Sequence, residues 1–193
     1  MPSQAERRAA MRARLIDASR LLFARDGYDA TSTNALLRAA DASKGALYHH
    51  FPSKRALFEV IFEEFSRGAV RRALRDSAAT GSDLERLIGG SLAWLEEVRS
   101  PDVSRILLDD GPRVLGFARA RELEARSSLG VMIQSLDRAQ RSGEIHVPDV
   151  ELMARLLNAA LAEAALLEFQ ARDVPDRSRI EASLRSLIEG LGR

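Results

Sequence analysis

Cysteine is absent from the 193 residues, which rules out disulfides and thiolate metal sites and fits a cytoplasmic protein. Lysine is almost absent: of 29 basic residues only Lys44 and Lys54 are not arginine. No apolar run reaches the roughly 18 residues of a membrane-spanning helix, so no membrane partner is expected. The first thirty residues carry many arginines but no compact apolar segment, so no secretory signal is read. Strand-like alternation, internal repeats and low-complexity tracts are missing too.

What remains is enough for a core, since 46% of residues are hydrophobic. The net charge of +1 hides an asymmetry. Residues 1–56 hold ten basic against five acidic side chains, a net of +5, and the remainder nineteen against twenty-three, a net of −4. A basic quarter on an acidic body points to a polyanion at one end. A solvated, arginine-rich helix face, built from Arg7, Arg8, Arg12 and Arg14, explains the charge equally well.

Apolar residues recur three and four apart nearly throughout, so the expected class is all-α, with about nine helices. The first helix is expected from about Glu6 to Arg25, striped by Met11, Leu15, Ala18 and Leu22 and closed by Gly27. Two very short helices follow, the first capped by one of the hydroxyls Thr31, Ser32 and Thr33, the second starting near Ser43 and ending before Pro52. A long helix from about Lys54 to Ser77 comes next, with Phe58, Ile61, Phe62, Phe65 and Ala69 on one face. Later breaks are expected at 77–83, 99–102, 110–112, 142–149 and 173–176. At 110–112, Gly111 and Pro112 read as a helix stop.

The stretch SKGALYHHFPSK, residues 43–54, gathers both lysines, a glycine, a tyrosine and two histidines. At about 100° per residue, Leu47 and Phe51 share a core-facing side, while Gly45 and His49 point away from it. Lys44, Ala46, Tyr48 and His50 flank the outer surface. Gly45 and Ala46 leave a low profile at the helix start, ringed by long or hydrogen-bonding side chains. Such a surface fits a major groove, with phosphates reached from its margins. The preceding short helix and tight turn complete a helix-turn-helix.

Residues 12–62, and SKGALYHHFPSK within them, resemble the DNA-binding domain of the TetR/AcrR family of transcriptional regulators. The stretch LLDDGPRVLGFARARELEAR (107–126) resembles the ligand-binding half of one TetR-like subgroup. The resemblance implies an all-helical homodimer on palindromic double-stranded operator DNA, released by a small-molecule effector, with a three-helix reading domain at 1–56 and a larger ligand-binding and dimerisation bundle at 57–193. It places Lys44, Gly45 and Ala46 at base edges and Thr33, Tyr48, His50 and Lys54 at phosphates. Asn34 and His49 are placed at base or backbone, and Ser43 at the start of the reading helix. Two positions depart from the family pattern. Asp41 stands in the turn where glycine is frequent, and aspartate tolerates the left-handed conformation. Leu37 stands where a small alanine is usual.

In the larger part, Trp94, Leu95, Leu107, Phe117, Met132 and Leu136 are candidate ligand contacts, with Asp110 and Arg113 as polar anchors; ordinary core packing explains the same apolar periodicity. Met153, Leu157, Ala160, Leu161, Ala164, Leu184, Leu187 and Ile188 are candidate dimer contacts, because a helix apolar over so wide an arc needs cover on two sides. No cofactor and no metal is expected. His49 and His50 diverge by about 100° and lack a carboxylate one turn away. No nucleophile–base spacing supports an enzyme.

Overall fold

The computed structural model describes residues 3–76, 81–170 and 177–192. Its helices are α1 (Gln4–Asp26), α2 (Thr33–Ala39), α3 (Lys44–His50), α4 (Lys54–Asp76), α5 (Asp83–Arg99), α6 (Pro101–Ser104), α7 (Gly111–Leu115), α8 (Phe117–Arg141), α9 (Val150–Gln170) and α10 (Arg177–Glu189). A π turn, Arg105–Asp110, joins α6 to α7. Residues 77–80 of the break expected at 77–83, the break expected at 173–176 and the end of the long helix at Ser77 lie outside the described residues.

The first four helices start and stop where local chemistry dictates. Ser32, Ser43 and Ser53 each accept a hydrogen bond from the amide three residues on (Ala35, Ala46 and Ala56), so each short helix has a hydroxyl N-cap. α1 ends at Gly27, whose φ of 81° no β-carbon residue adopts easily. Asp41 takes the left-handed conformation at φ 46°, so the turn between α2 and α3 survives without glycine. Arg14 of α1 donates to the Asp41 carbonyl at 2.6 Å, tying that turn back to the first helix.

Leu15, Phe23, Leu36, Leu47, Phe51, Leu57, Phe58 and Ile61 form a continuous core beneath α1, the two short helices and the start of α4. Phe23 and Phe58 meet edge to face at 5.4 Å, and Tyr28 stands edge-on to Phe58 at 5.1 Å. From there α4 leaves the small core and runs against α5 and α8, with α9 and α10 completing the bundle. Among the described residues no helix is long and apolar enough to cross a membrane.

The expected stop at Gly111–Pro112 does not occur. The chain runs through the π turn into α7, with the Gly111 amide donating back five residues to the Ile106 carbonyl. Pro112 sits in the first turn of α7, where a missing N–H costs little. Gly111 is helical, at φ −54°. A β-carbon there would overlap the Phe62 ring, so glycine serves close approach to α4 and not chain reversal. The reversal falls at Gly116, φ 83°.

Glu144, in the loop after α8, closes the bundle by capping α5. It accepts from the Asp83 and Leu84 amides at 3.0 and 2.9 Å and from the Ser142 hydroxyl at 2.9 Å. The Ser82 hydroxyl and these amides hold its carboxyl down at about 2 against an ordinary 4.5. A depressed carboxyl adds stability above its unfolded value and loses it as pH falls toward the folded one. Glu144→Gln should therefore melt below wild type at pH 7, and the gap should close between about pH 4.5 and 2. Paired thermal melts across that range check it; a gap that stays constant would refute the cap's charge as its source.

Candidate nucleic-acid interface and internal cavity

α3 projects from the small core on Leu47, which is fully buried, and on Phe51 just beyond it. Ser43, Lys44, Gly45, Tyr48 and His49 are exposed, and Ala46 and His50 are half-buried. Nothing lies closer to a β-carbon at Gly45 than the Ser43 hydroxyl, at 3.9 Å. The fold itself therefore leaves room for a side chain at this position. On α2, Asn34 is exposed and Thr33 half-buried.

The basic side chains of α1 divide between two tasks. Arg14 holds the Asp41 carbonyl, which is a structural contact that the charge count alone does not separate from a solvated one. Arg12 lies over the Phe51 ring at 5.2 Å. Burial, with His49, Arg8 and Arg12 nearby, pushes the His50 imidazole below its ordinary value. Arg8, Arg12, His49 and His50 thus form one basic edge beside α3. Lys54 stacks its ammonium on Tyr28, 4.0 Å from the ring centroid, and burial lowers its pKa against the pull of Asp29 and Asp110. All ten predicted DNA-facing residues lie on α2, α3, their caps or the first turn of α4.

The larger part holds a cavity of about 320 Å³ between α4, α5, α8 and α9. Val70, Ala73, Leu87, Trp94, Val131, Met132 and Leu161 supply apolar wall. Of the predicted ligand contacts, Trp94 and Met132 line it. Leu107 and Leu136 are buried in the bundle core instead, and Leu95 borders a separate space of about 130 Å³ beside Arg99 and Glu168. Phe117 points outward at 65% exposure.

Asp110 and Arg113 sit at the joint between the two halves, away from the cavity. Asp110 is 1% exposed and accepts from the Tyr28 amide at 2.8 Å. Arg113 pairs with both Asp110 and Asp29. Arg105 donates to the Ala24 carbonyl at 3.2 Å and to that of Arg25, the last carbonyls of α1. Arg55, from the first turn of α4, donates to Val114 and Leu115 at 3.0 and 2.9 Å, satisfying the end of α7. Burial pushes the Asp110 carboxyl up, opposed by the Tyr28 amide and Arg113.

The polar cavity residues escaped the sequence reading. Arg121 donates to Glu124 at 3.1 Å, the Asn158 amide donates to Ser128 at 3.1 Å, and Ser91 turns its hydroxyl to the Leu87 carbonyl at 2.8 Å. A signal existed: Glu124, Ser128 and Ser135 stand four and seven apart on the same α8 face as Met132, where the helical period calls for apolar side chains.

The predicted dimer residues divide. Leu157, Leu161, Ala164, Leu184 and Ile188 face their own bundle, each under 9% exposed, and Met153 and Ala160 are half-buried. Only Leu187 of that set is open, at 47%. The outward arc of α9 is Leu152, Leu156 and Leu167, about half exposed each.

A family model described as "Bacterial regulatory proteins, tetR family" matches residues 15–61, and one described as "Tetracyclin repressor-like, C-terminal domain" matches residues 84–191. The HTH-type transcriptional regulator UidR of Escherichia coli (strain K12) is 26% identical, over 93% of this chain and 92% of its own. The crystal structure of a TetR-family transcriptional regulator from Pectobacterium atrosepticum superposes with a TM-score of 0.83 at 30% identity, covering 98% of this chain and 97% of that one. Salmonella enterica GusR superposes at 0.64 with 26% identity, covering 94% and 95%.

Removing the Asp110 carboxylate strands the Tyr28 amide in a partly buried joint. Asp110→Ala should cost about 1–3 kcal/mol. Asp110→Asn, which keeps an acceptor, should recover part of that. Denaturant midpoints, with amide exchange at Tyr28 as the local probe, report the order; equal midpoints for all three proteins would dismiss the joint as energetically idle.

Proposed function

This chain belongs to the TetR family of bacterial regulatory proteins and is a DNA-binding transcriptional regulator, and from that premise we propose that it is a cytoplasmic homodimeric repressor of a palindromic operator, released when a small molecule fills the cavity. The observation that carries this reading is the course of α4. Its first turn, directly after the reading helix in the chain, holds Lys54, in contact with Tyr28, and its later turns put Val70 and Ala73 into the cavity wall. One rigid element thus touches both sites, and a ligand that fits one tilt of α4 better than another changes the spacing of two reading helices. The effect on DNA affinity is bounded by the ligand's differential affinity for the two tilts. The division into a reading domain ending near residue 56 and a bundle beyond it belongs to the same proposal, with α4 shared.

In this reading Lys44, Gly45 and Ala46 approach base edges. Thr33, Tyr48, His50 and Lys54 bind phosphates, with Lys54 leaving the Tyr28 ring to do so. Ser43 fixes the start of α3, and Asn34 and His49 sit at the groove margin. Arg8 and Arg12 extend the basic edge along the backbone.

The dimer contact in this proposal is the outward arc of α9 with Leu187 of α10. A two-fold axis there brings Leu152, Leu156 and Leu167 against their symmetry mates in a four-helix contact. The buried members of the predicted set support that surface from beneath.

Two experiments test the proposal. Gly45→Ala should leave the fold intact, neutral or up to about 1 kcal/mol more stable, and Gly45→Glu should lower operator affinity by about tenfold or more. Wild-type affinity should fall about 10³–10⁵-fold between 50 and 200 mM salt, for roughly six to ten phosphates per dimer. Gel retardation with Gly45→Glu binding as wild type would remove α3 from the groove. Separately, Leu156→Arg should sediment as a monomer with unchanged helicity and bind the palindrome weakly. A dimeric Leu156→Arg protein would move the contact elsewhere.

A further inference from the structure

The cavity's polar equipment selects a class of effector, an inference that rests on reading the cavity as the effector site. Arg121 and Glu124, three apart on α8, are paired through Glu124 Oε2 alone. Glu124 Oε1, Asn158 Oδ1 and the remaining Arg121 N–H groups have no partner among the described residues. They edge a space whose other walls are Trp94, Met132 and aliphatic side chains. The cavity thus offers acceptors and donors side by side on an apolar background; three guanidiniums and one carboxylate line it, and that carboxylate, Glu124, is already paired with Arg121. Arg86 and Arg138, at the same cavity, both lean on Asp83, at 2.5 and 3.8 Å.

We propose that the effector is a neutral amphiphile that presents hydroxyl groups to Arg121, Glu124 and Asn158 and its apolar body to Trp94 and Met132. A hydroxyl donates and accepts at once, so it satisfies Glu124 and Arg121 together. An anion meets the half-buried Glu124 carboxylate, and a cation meets Arg121; each also sheds its own hydration on entry. Partial burial raises the Glu124 carboxyl, opposed by the paired Arg121. At about 320 Å³ the space takes a molecule at the small end of the usual range for such sites.

Trp94 is the only tryptophan in the chain and lines the cavity, so its fluorescence reports occupancy. Three matched probes that do not absorb near it are 4-tert-butylcyclohexanol, the corresponding carboxylate and the corresponding ammonium, titrated into the full-length protein and confirmed by calorimetry. The alcohol should bind about tenfold tighter than either ion. Glu124→Ala should weaken the alcohol. Glu124→Gln, which frees Arg121 of its counter-charge, should shift preference toward the carboxylate while circular dichroism stays unchanged. Tighter binding of either ion to wild type, equal binding of all three, or binding of none overturns the assignment. Operator retardation with each probe keeps the two readings apart. An alcohol that binds and leaves DNA binding untouched sinks ligand release and spares the class. A carboxylate or ammonium that binds best and releases DNA does the reverse.

Discussion

The molecule depends on one buried carboxylate. Asp110 leaves the π turn, is 1% exposed, and is matched from both halves of the chain: the Tyr28 amide from the reading head and Arg113 from α7. An isolated charge at that depth is costly, so the site holds together only while those partners stay in place. Arg105 adds the last carbonyls of α1 and Arg55 those of α7. Four side chains thus convert two helical units into a body in which the direction of α3 is referred to the bundle. The π turn carries Arg105, bonded to the end of α1, and Asp110, bonded to the Tyr28 amide just beyond it, and Gly111 lets that turn lie flat against Phe62 of α4.

This joint meets the proposed DNA-facing surface at Tyr28. Its amide binds Asp110, while its ring carries the Lys54 ammonium and packs on Phe23 and Phe58. In the proposed complex, a phosphate that drew Lys54 away would uncover the ring at the centre of the joint. A cavity wall that moves α4 displaces Lys54 and Arg55 at that helix's other end. At 1.5 Å per residue α4 is about 34 Å long, enough to carry a small tilt at the cavity into a larger shift at the reading head.

The reading head was legible in the sequence because its signals are local. Ser43, Gly27, Asp41 and Pro52 each fix backbone within a few residues, and Leu47 and Phe51 fall on the core face by period alone. The joint was not legible, because Gly111 and Pro112 next to each other read as a stop. Their real purpose, room for Phe62 and tolerance in a first helical turn, depends on α4 about fifty residues earlier. α9 shows a third limit. Both Leu156 and Leu161 lie on a broad apolar arc, and periodicity does not say which edge meets the chain's own bundle; the structure buries Leu161 against the cavity and leaves Leu156 outside. In the cavity, Glu124 of α8 and Asn158 of α9 come together only through the packing of those two helices, which local pattern does not specify.

The most direct measurement of the central claim is a guanine-methylation interference map on the operator found upstream of the protein's own gene. Two α3 helices of a two-fold dimer, reading through Lys44, Gly45 and Ala46, predict interference at major-groove guanine N7 in two symmetric half-sites. The half-sites lie on one face of the duplex, about 34–36 Å apart or a multiple of that spacing. A single protected segment, or contacts confined to the minor groove, would contradict the account.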